Sequence, residues 1–515
     1  MRLFPRATDI RRPRRYIALA AAATAVAAVA IPTAAAANSS TSAAASALPA
    51  LSALPASADR SNPTAGIVWQ PCTDPDFAGM DCGTMKVPVD YAHPGGPQVS
   101  LSMVRHRASD SAHRVGALVL NDGAGGSSIE QFRYALRFGL AQTPMGRRFD
   151  VIAMDPRGVG HSQGIHCTRP AKASGITDLP ASQAQFDALV ANNQAFAADC
   201  LKTNGPLLTH MDMAGTARDF ERLRVGLHET QLNWYGIQYS DLLGRTYAQM
   251  FPGRLRTMLL DTALDDALPP TERLATEMAT AEQAFDRFAG WCHDTAGCAL
   301  HGQDVAAVYD QLVAKADRTP IVVKGTGQTL TGQDIQAATQ DFLVIKSVAW
   351  STLGTAIQQA LAGDATAFTH DVDKTLDHTQ LQVSACLDQP PAATTYAGLA
   401  QLEMLARQTS PHLGGLVQSW TNMTGCLGWP VAAHGTAPTS PVKHAPPALI
   451  LESTHQTLSA YSWAFGLAAQ LPGSSVLSIE GDDYSTYITS PCAASNANSY
   501  LIDRTLPAAG TLCAY

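Results

Sequence analysis

Metal-binding spacings are missing from this sequence: it contains no Cys-x-x-Cys and no His-Glu-x-x-His. Without them a structural or protease-type zinc site has no support, and neither a metal nor a cofactor is expected. Charge is scarce as well. Lys, Arg, Asp and Glu make up 15% of the 515 residues, against 46% hydrophobic residues, and the formal net charge is -8. Beyond the N-terminus there is no basic cluster, which excludes nucleic acid as an expected partner. No segment repeats at a fixed period, so a solenoid or propeller is excluded. Histidine does not occur after His455, and the last 60 residues therefore carry no imidazole base.

What is present begins with an export signal. Arg11, Arg12, Arg14 and Arg15 precede an apolar run at 16–31, and Ala35-Ala36-Ala37 offers a small-x-small cleavage site before Asn38. Residues 1–37 read as a signal peptide, and Arg14-Arg15 loosely resembles a twin-arginine signal. The run is Ala-rich and shorter than the roughly 20 residues a membrane span needs, so no membrane attachment is expected after cleavage. Removing 1–37 takes the formal charge from -8 to -13. The Ala/Ser/Pro-rich stretch 38–64 reads as a disordered tether. All ten cysteines follow it, and an even count in an exported protein argues for disulfides. Neighbour pairing is the simplest connectivity: 72–82, 167–200, 292–298, 386–426 and 492–513. A secreted monomer is expected.

The length suggests one large domain with an insertion, or two domains. Segments 85–89 and 99–105 look like an opening antiparallel pair. The continuous apolar run at 115–120 reads as a strand buried on both faces, 149–154 as another buried strand, and 233–237 and 256–260 as the strands that follow. Helical patterns at 182–200 and 211–227 lie between them. Strands alternating with helices predict an α/β fold with a mostly parallel sheet and right-handed crossovers. Residues 65–265 form the first part of that core. Across 266–440 the pattern turns helical, with amphipathic stretches at 271–289, 303–315 and 351–363, and reads as an inserted cap. The sheet pattern resumes in 441–515, with strands at 448–451 and 476–479 and helices at 461–470 and 493–501.

The chain is organised around residues 233–244. A strand there breaks sharply into a helix whose apolar face is Leu242, Leu243, Tyr247 and Met250, and Phe251-Pro252-Gly253 ends it. Strand, tight turn and helix form the frame of a nucleophile elbow, which normally carries Gly-x-Ser-x-Gly. Here the central residue is Gln238.

With the elbow, several further motifs resemble the secreted tripeptidyl-aminopeptidase-like branch of the α/β-hydrolases, related to the proline iminopeptidases. They are Val87-Pro88-Val89-Asp90-Tyr91, the glycine-rich loop 123–128, Asp155-Pro156-Arg157-Gly158-Val159-Gly160-His161-Ser162, Cys386-Leu387-Asp388 and Leu506 to Cys513. The resemblance implies an α/β-hydrolase fold and a Ser, Asp, His triad in that chain order. Its serine position falls on Gln238, its aspartate on Gln456 and its histidine on Tyr484. All three are changed. The resemblance also implies an oxyanion hole at the backbone of Tyr239 and of Gly123 and Ala124, in a loop where Asp122 and Ser128 replace glycines.

An amide is a poor nucleophile, although it donates and accepts hydrogen bonds. Losing a serine-protease triad costs on the order of 10⁶ in kcat. The expected function is therefore a non-hydrolytic catalyst, of isomerase, cyclase or lyase type, acting on a small metabolite under the cap. Gln238 would polarise a carbonyl, and Tyr484 or Asp483 would move a proton. The alternatives are a peptide- or small-molecule-binding pseudoenzyme, and an exopeptidase or esterase with a relocated nucleophile. Ser162, in Gly160-His161-Ser162-Gln163-Gly164, and Ser240 are the serines such a relocation would use. Plainer readings stand beside these: Tyr484 as a pocket-lining aromatic, Asp482 and Asp483 as solvated loop acids, and His455 as a loop residue. Asp241 reads as a first-turn acid favoured by the helix dipole, and Asp155 with Arg157 as an ion pair or turn support.

Overall fold

A computed structural model of the chain describes residues 66–514, apart from 123–124, 174, 370–377, 432 and 434–440. The expected signal peptide and tether lie outside the described residues. Twelve strands are described: β1 (Val68–Pro71), β2 (Asp81–Pro88), β3 (Gln98–His106), β4 (Gly116–Asn121), β5 (Phe149–Met154), β6 (Leu232–Ile237), β7 (Leu255–Asp261), β8 (Ile321–Val322), β9 (Thr329–Leu330), β10 (Leu449–Ser453), β11 (Ser475–Ile479) and β12 (Leu512–Cys513). Ten of them form one sheet in the order β1-β2-β3-β5-β4-β6-β7-β10-β11-β12. β1, β2 and β3 pair antiparallel, as do β3 and β5. From β5 onward every pairing is parallel.

β4 and β6 are buried along their whole length, because helices cover both faces of the sheet. Adjacent residues of β6 serve opposite faces. Trp234 meets Phe220 and Tyr247 on one side, at centroid distances of 5.0 and 6.0 Å. Tyr235 meets Tyr487 on the other, at 5.6 Å. The chain passes from β4 to β5 on one side and returns to β6 on the other. Strand order thus reverses between β4 and β6, which leaves a crevice at their carboxyl ends.

Between β7 and β10 the chain adds helices Pro270–Asp294, Val305–Arg318, Gly332–Leu343, Lys346–Leu361, His378–Asp388, Tyr396–Thr409 and Gln418–Gly425, with the β8–β9 ribbon. They enclose a core of their own around Phe285, Phe288, Trp350 and Trp420. Apolar periodicity predicts only three of these helices. Gly332–Leu343 escapes it by burying Gln336, Thr339 and Gln340 among its apolar residues, and Gln418–Gly425 by being short. Leu179, Phe186 and Leu189 join this core from outside 266–440. The 22-residue helix Gln183–Asn204 is long enough, at roughly 1.5 Å per residue, to reach from sheet to cap.

Five disulfides join the neighbouring cysteines: 72–82, 167–200, 292–298, 386–426 and 492–513. They fit an oxidising compartment. No helix among the described residues is long and apolar enough to cross a membrane.

Candidate functional site

β6 ends at Ile237, and the helix Tyr239–Met250 starts two positions on. Gln238, between them, has φ 52° and ψ -113°. Non-glycine residues held in such conformations cost about 1–3 kcal/mol. Two backbone bonds hold it: Gln238 N–H donates to Asp261 C=O at 3.0 Å, and Asp241 N–H donates to Gln238 C=O at 2.8 Å. Gly236 allows the close turn, since a Cβ there would lie 3.0 Å from the Ser240 backbone and 2.8 Å from Trp234 Nε1. This strained strand-to-helix turn is the geometry that presents a nucleophile at the sheet's carboxyl edge. The side chain it presents is a carboxamide.

The cap reaches the turn directly. Gln238 Nε2 donates to Gln418 Oε1 at 3.0 Å, and Asn422 Nδ2 donates to Tyr239 Oη at 3.0 Å. Both partners lie on the helix Gln418–Gly425. The buried Glu277 caps that helix by accepting the Ser419 N–H at 3.2 Å. Burial, then the nearby Glu277 carboxylate, pushes the Tyr239 phenol up to about 12, so it stays neutral. Sequence reasoning missed Gln418, Asn422 and Glu277, which only the folded cap brings to the elbow. The expected oxyanion donor on Tyr239 heads the elbow helix. Gly123 and Ala124, expected with it, lie outside the described residues.

Gln456 is buried in the loop after β10. Its Nε2 donates to Glu452 Oε1 at 3.0 Å and to Ser459 C=O at 3.1 Å, and its Oε1 accepts the Leu458 N–H at 2.8 Å. These bonds tie it into its own loop, and it bonds neither Gln238 nor Tyr484. Tyr484, after β11, donates its O–H to Asp122 Oδ1 at 3.5 Å. Asp122 follows β4. Because β6 lies between β4 and β11 in the sheet, this contact carries Tyr484 across the strand end that holds Gln238. Gln238, Gln456 and Tyr484 thus share the carboxyl edge of the sheet, and among the described residues Tyr484 is the one that bonds the loop after β4.

Asp482 and Asp483 are not solvated loop acids; both are buried. Asp482 pairs with Arg287 and with Lys346, the latter at 3.0 Å. Asp483 Oδ1 accepts the Ser347 N–H at 3.4 Å, near the start of the helix Lys346–Leu361. Both carboxylates are committed to anchoring the cap. Asp241 sits in the first turn of the elbow helix, as expected. It is fully buried, and neither of its oxygens has a hydrogen-bond partner among the described residues.

The other serines and the histidine have structural surroundings. Ser162 donates to Asp155 C=O at 2.7 Å and accepts the Ser102 N–H at 2.8 Å. Ser240 is buried with its hydroxyl unpartnered. His455 faces Glu480 at 3.3 Å. Asp155 and Arg157 do not pair with each other. Arg157 makes a two-pronged contact to Asp219 at 2.7 and 2.6 Å, while Asp155 accepts from Ser127 Oγ, Ile129 N–H and His161 N–H. A small cleft lies between the cap helices Pro270–Asp294 and Gln418–Gly425, with Arg273, Gln389 and Asn422 among its walls. It is not lined by Gln238, Gln456 or Tyr484.

A parallel sheet whose order reverses beside a strained strand-to-helix turn, with a helical insertion over it, defines an α/β-hydrolase-fold protein. The family description "alpha/beta hydrolase fold" matches residues 116–331, and "TAP-like protein" matches 411–513. The chain has the α/β-hydrolase fold and is similar to the tripeptidyl-aminopeptidase-like family within it. It is similar to the tripeptidyl aminopeptidase of Streptomyces lividans, 28% identical over 479 residues and covering 87% of each chain. Similarity to carboxylesterase B of Mycobacterium tuberculosis is 29% over 460 residues, covering 84% of this chain and 86% of that one. Among solved structures, a proline iminopeptidase of Mycobacterium smegmatis covers 82% of this chain at 12% identity, with 98% of its own chain matched and a TM-score of 0.32.

Proposed function

We propose that this chain uses the capped crevice for non-hydrolytic chemistry on a small metabolite, of isomerase, cyclase or lyase type. One observation carries the reading: the position that presents a nucleophile in this fold holds Gln238, whose amide is bound to Gln418 of the cap. The relatives carry the names of hydrolases, and their similarity argues for hydrolysis. Against it stands the chemistry of this chain, with no attacking oxygen at residue 238, no imidazole in the loop after β11, and an amide at 456. The surroundings of Ser162 and Ser240 weigh against a relocated nucleophile. What the crevice offers instead is a phenol beside a carboxylate, Tyr484 and Asp122, 3.5 Å apart. Such a pair can give and take a proton at a bound carbonyl compound, while the Gln238 amide donates to its oxygen.

The test has two parts. A fluorophosphonate probe is expected to leave both the natural protein and Gln238→Ser unlabelled, because a serine without its histidine is not activated. Labelling of the natural protein would sink the reading. In the second part, small-molecule extracts are incubated with the protein in D₂O and examined by mass spectrometry. Deuterium uptake or loss of water should depend on the protein and disappear in Tyr484→Phe and Asp122→Asn. A second reading, a peptide- or small-molecule-binding protein without catalysis, is favoured by the locking of Gln456 in its own loop. Saturable ligand capture without any turnover would establish it over the first.

A further inference from the structure

The sequence carries no metal-binding spacing, yet the fold assembles a set of metal-ligating side chains on the cap. We propose that Glu282, Asp286 and His412 form a site for a divalent first-row cation such as zinc. Glu282 and Asp286 stand one turn apart on the helix Pro270–Asp294 and so share a face. His412 comes from the turn after the helix Tyr396–Thr409. One ligand atom from each lies within 4.8 Å of the other two. Around zinc, with bonds of about 2.0–2.2 Å, tetrahedral ligand atoms sit roughly 3.4 Å apart. Closing the set therefore needs movements of only about 1 Å, which the exposed Asp286 side chain can supply.

The imidazole is already oriented. His412 Nδ1 bonds Asp310 Oδ1 at 2.7 Å, and Nε2 faces Glu282 Oε1 at 3.9 Å. Ligating histidines are held in this way, with a carboxylate on the nitrogen that does not bind the metal. Phe285 flanks the ring, centroids 5.0 Å apart. Glu282 is anchored too: Oε2 accepts the Ser410 O–H at 2.8 Å and Oε1 the His412 N–H at 3.0 Å. Oε2 also accepts the Leu413 N–H at 3.4 Å, so of the two acceptor sites on each oxygen the one that remains for a cation is on Oε1. An imidazole held by Asp310 distinguishes the cluster from a patch of surface acids. One nitrogen and two carboxylate donors suit zinc, manganese or ferrous iron better than the soft cuprous ion. Three protein ligands leave a coordination position for water. Residues 413–417 run from His412 to Gln418, so a bound ion would pin the segment that carries the elbow's cap partner. The proposal does not depend on the reading of the crevice.

The experiment uses the tag-free secreted protein, stripped with a chelator and titrated calorimetrically with zinc alone. One ion per chain is expected, with a rise in Tm on binding. Cobalt in place of zinc should give visible absorption bands of low-symmetry coordination. Asp286→Asn, a change at an exposed side chain, should leave the metal-free Tm unchanged and weaken zinc binding at least tenfold. His412→Gln should do the same to zinc binding. Asp310→Asn should weaken it by about 10–100-fold through loss of orientation. No saturable binding would overturn the proposal, leaving His412 as an ion-pair partner of Asp310. Binding unchanged in Asp286→Asn and His412→Gln would equally overturn it, by placing the ion elsewhere.

Discussion

Replacing Asp241 by Asn should remove a pH-dependent weakness built in beneath the elbow. Three buried carboxylates stand there: Asp241, Asp261 and Glu452. Asp261 accepts from Thr486 N–H and Oγ1, each at 3.0 Å, from Tyr487 N–H at 3.1 Å and from Tyr235 Oη at 3.2 Å. Glu452 accepts from Ala263 N–H at 2.7 Å and from Gln456 Nε2 at 3.0 Å. Among the described residues Asp241 accepts from nothing. When like charges share a buried region, the proton goes where the anion has least support, which is Asp241. Burial first, then the charges of Asp261 and Glu452, holds its carboxyl well above the ordinary 3.8. A raised folded-state value makes the native protein bind that proton more tightly than the unfolded chain does. The stability so gained is complete below 3.8 and is lost as pH rises towards the folded value. Each pH unit in that window costs about 1.4 kcal/mol. That is roughly 3 °C in Tm per pH unit within the window, at about 2 °C per kcal/mol for a large domain. The Asn variant has no such proton to lose. Differential scanning calorimetry at pH 5, 6 and 7 should show its Tm rising relative to the natural protein as pH rises. A Tm difference that stays constant over that range, or that falls, would refute the assignment of the proton to Asp241.

Two further substitutions test the frame around the site. Gly236→Ala places a methyl group 3.0 Å from the Ser240 backbone and should cost about 1–3 kcal/mol through displacement of the turn; chemical denaturation reads the loss, and an unchanged midpoint would mean the turn has room to spare. Asp219→Ala leaves the buried Arg157 guanidinium without its carboxylate partner and should destabilise by about 3–5 kcal/mol. It also strips the Tyr91 hydroxyl of the acceptor it meets at 2.7 Å. A loss below about 1 kcal/mol would show that this pair behaves like an exposed one.

Much of the fold was legible in the chain itself, because its strands are short, largely apolar segments and local order is enough to recognise them. β5 and the helix Tyr461–Gln470 have the same bounds in the sequence reading and in the structure. The elbow was legible for a related reason: Gly236, the strand before it and the apolar face of the next helix are all local. Neighbour pairing of the cysteines likewise needed only proximity along the chain. The surroundings of the site were not legible. Asp482 and Asp483 read as solvated acids because a carboxylate in a loop usually is one, and only docking of the cap brings Arg287, Lys346 and the Ser347 N–H to them. Asp155 with Arg157 read as an ion pair or turn support; Asp155 does hold its turn, while the ion-pair partner of Arg157, Asp219, lies 62 residues further on. Gln418 meets Gln238 across 180 residues, and His412 meets Glu282 across 130. Sequence by itself determined the α/β-hydrolase frame and the amide at its elbow, since both depend on short-range pattern. The tertiary structure alone decided which buried charges are paired, that Asp241 has no hydrogen-bond partner among the described residues, and what the cap lays over the crevice. Those outcomes depend on desolvation and on contacts between distant segments, and neither leaves a periodic trace in the chain.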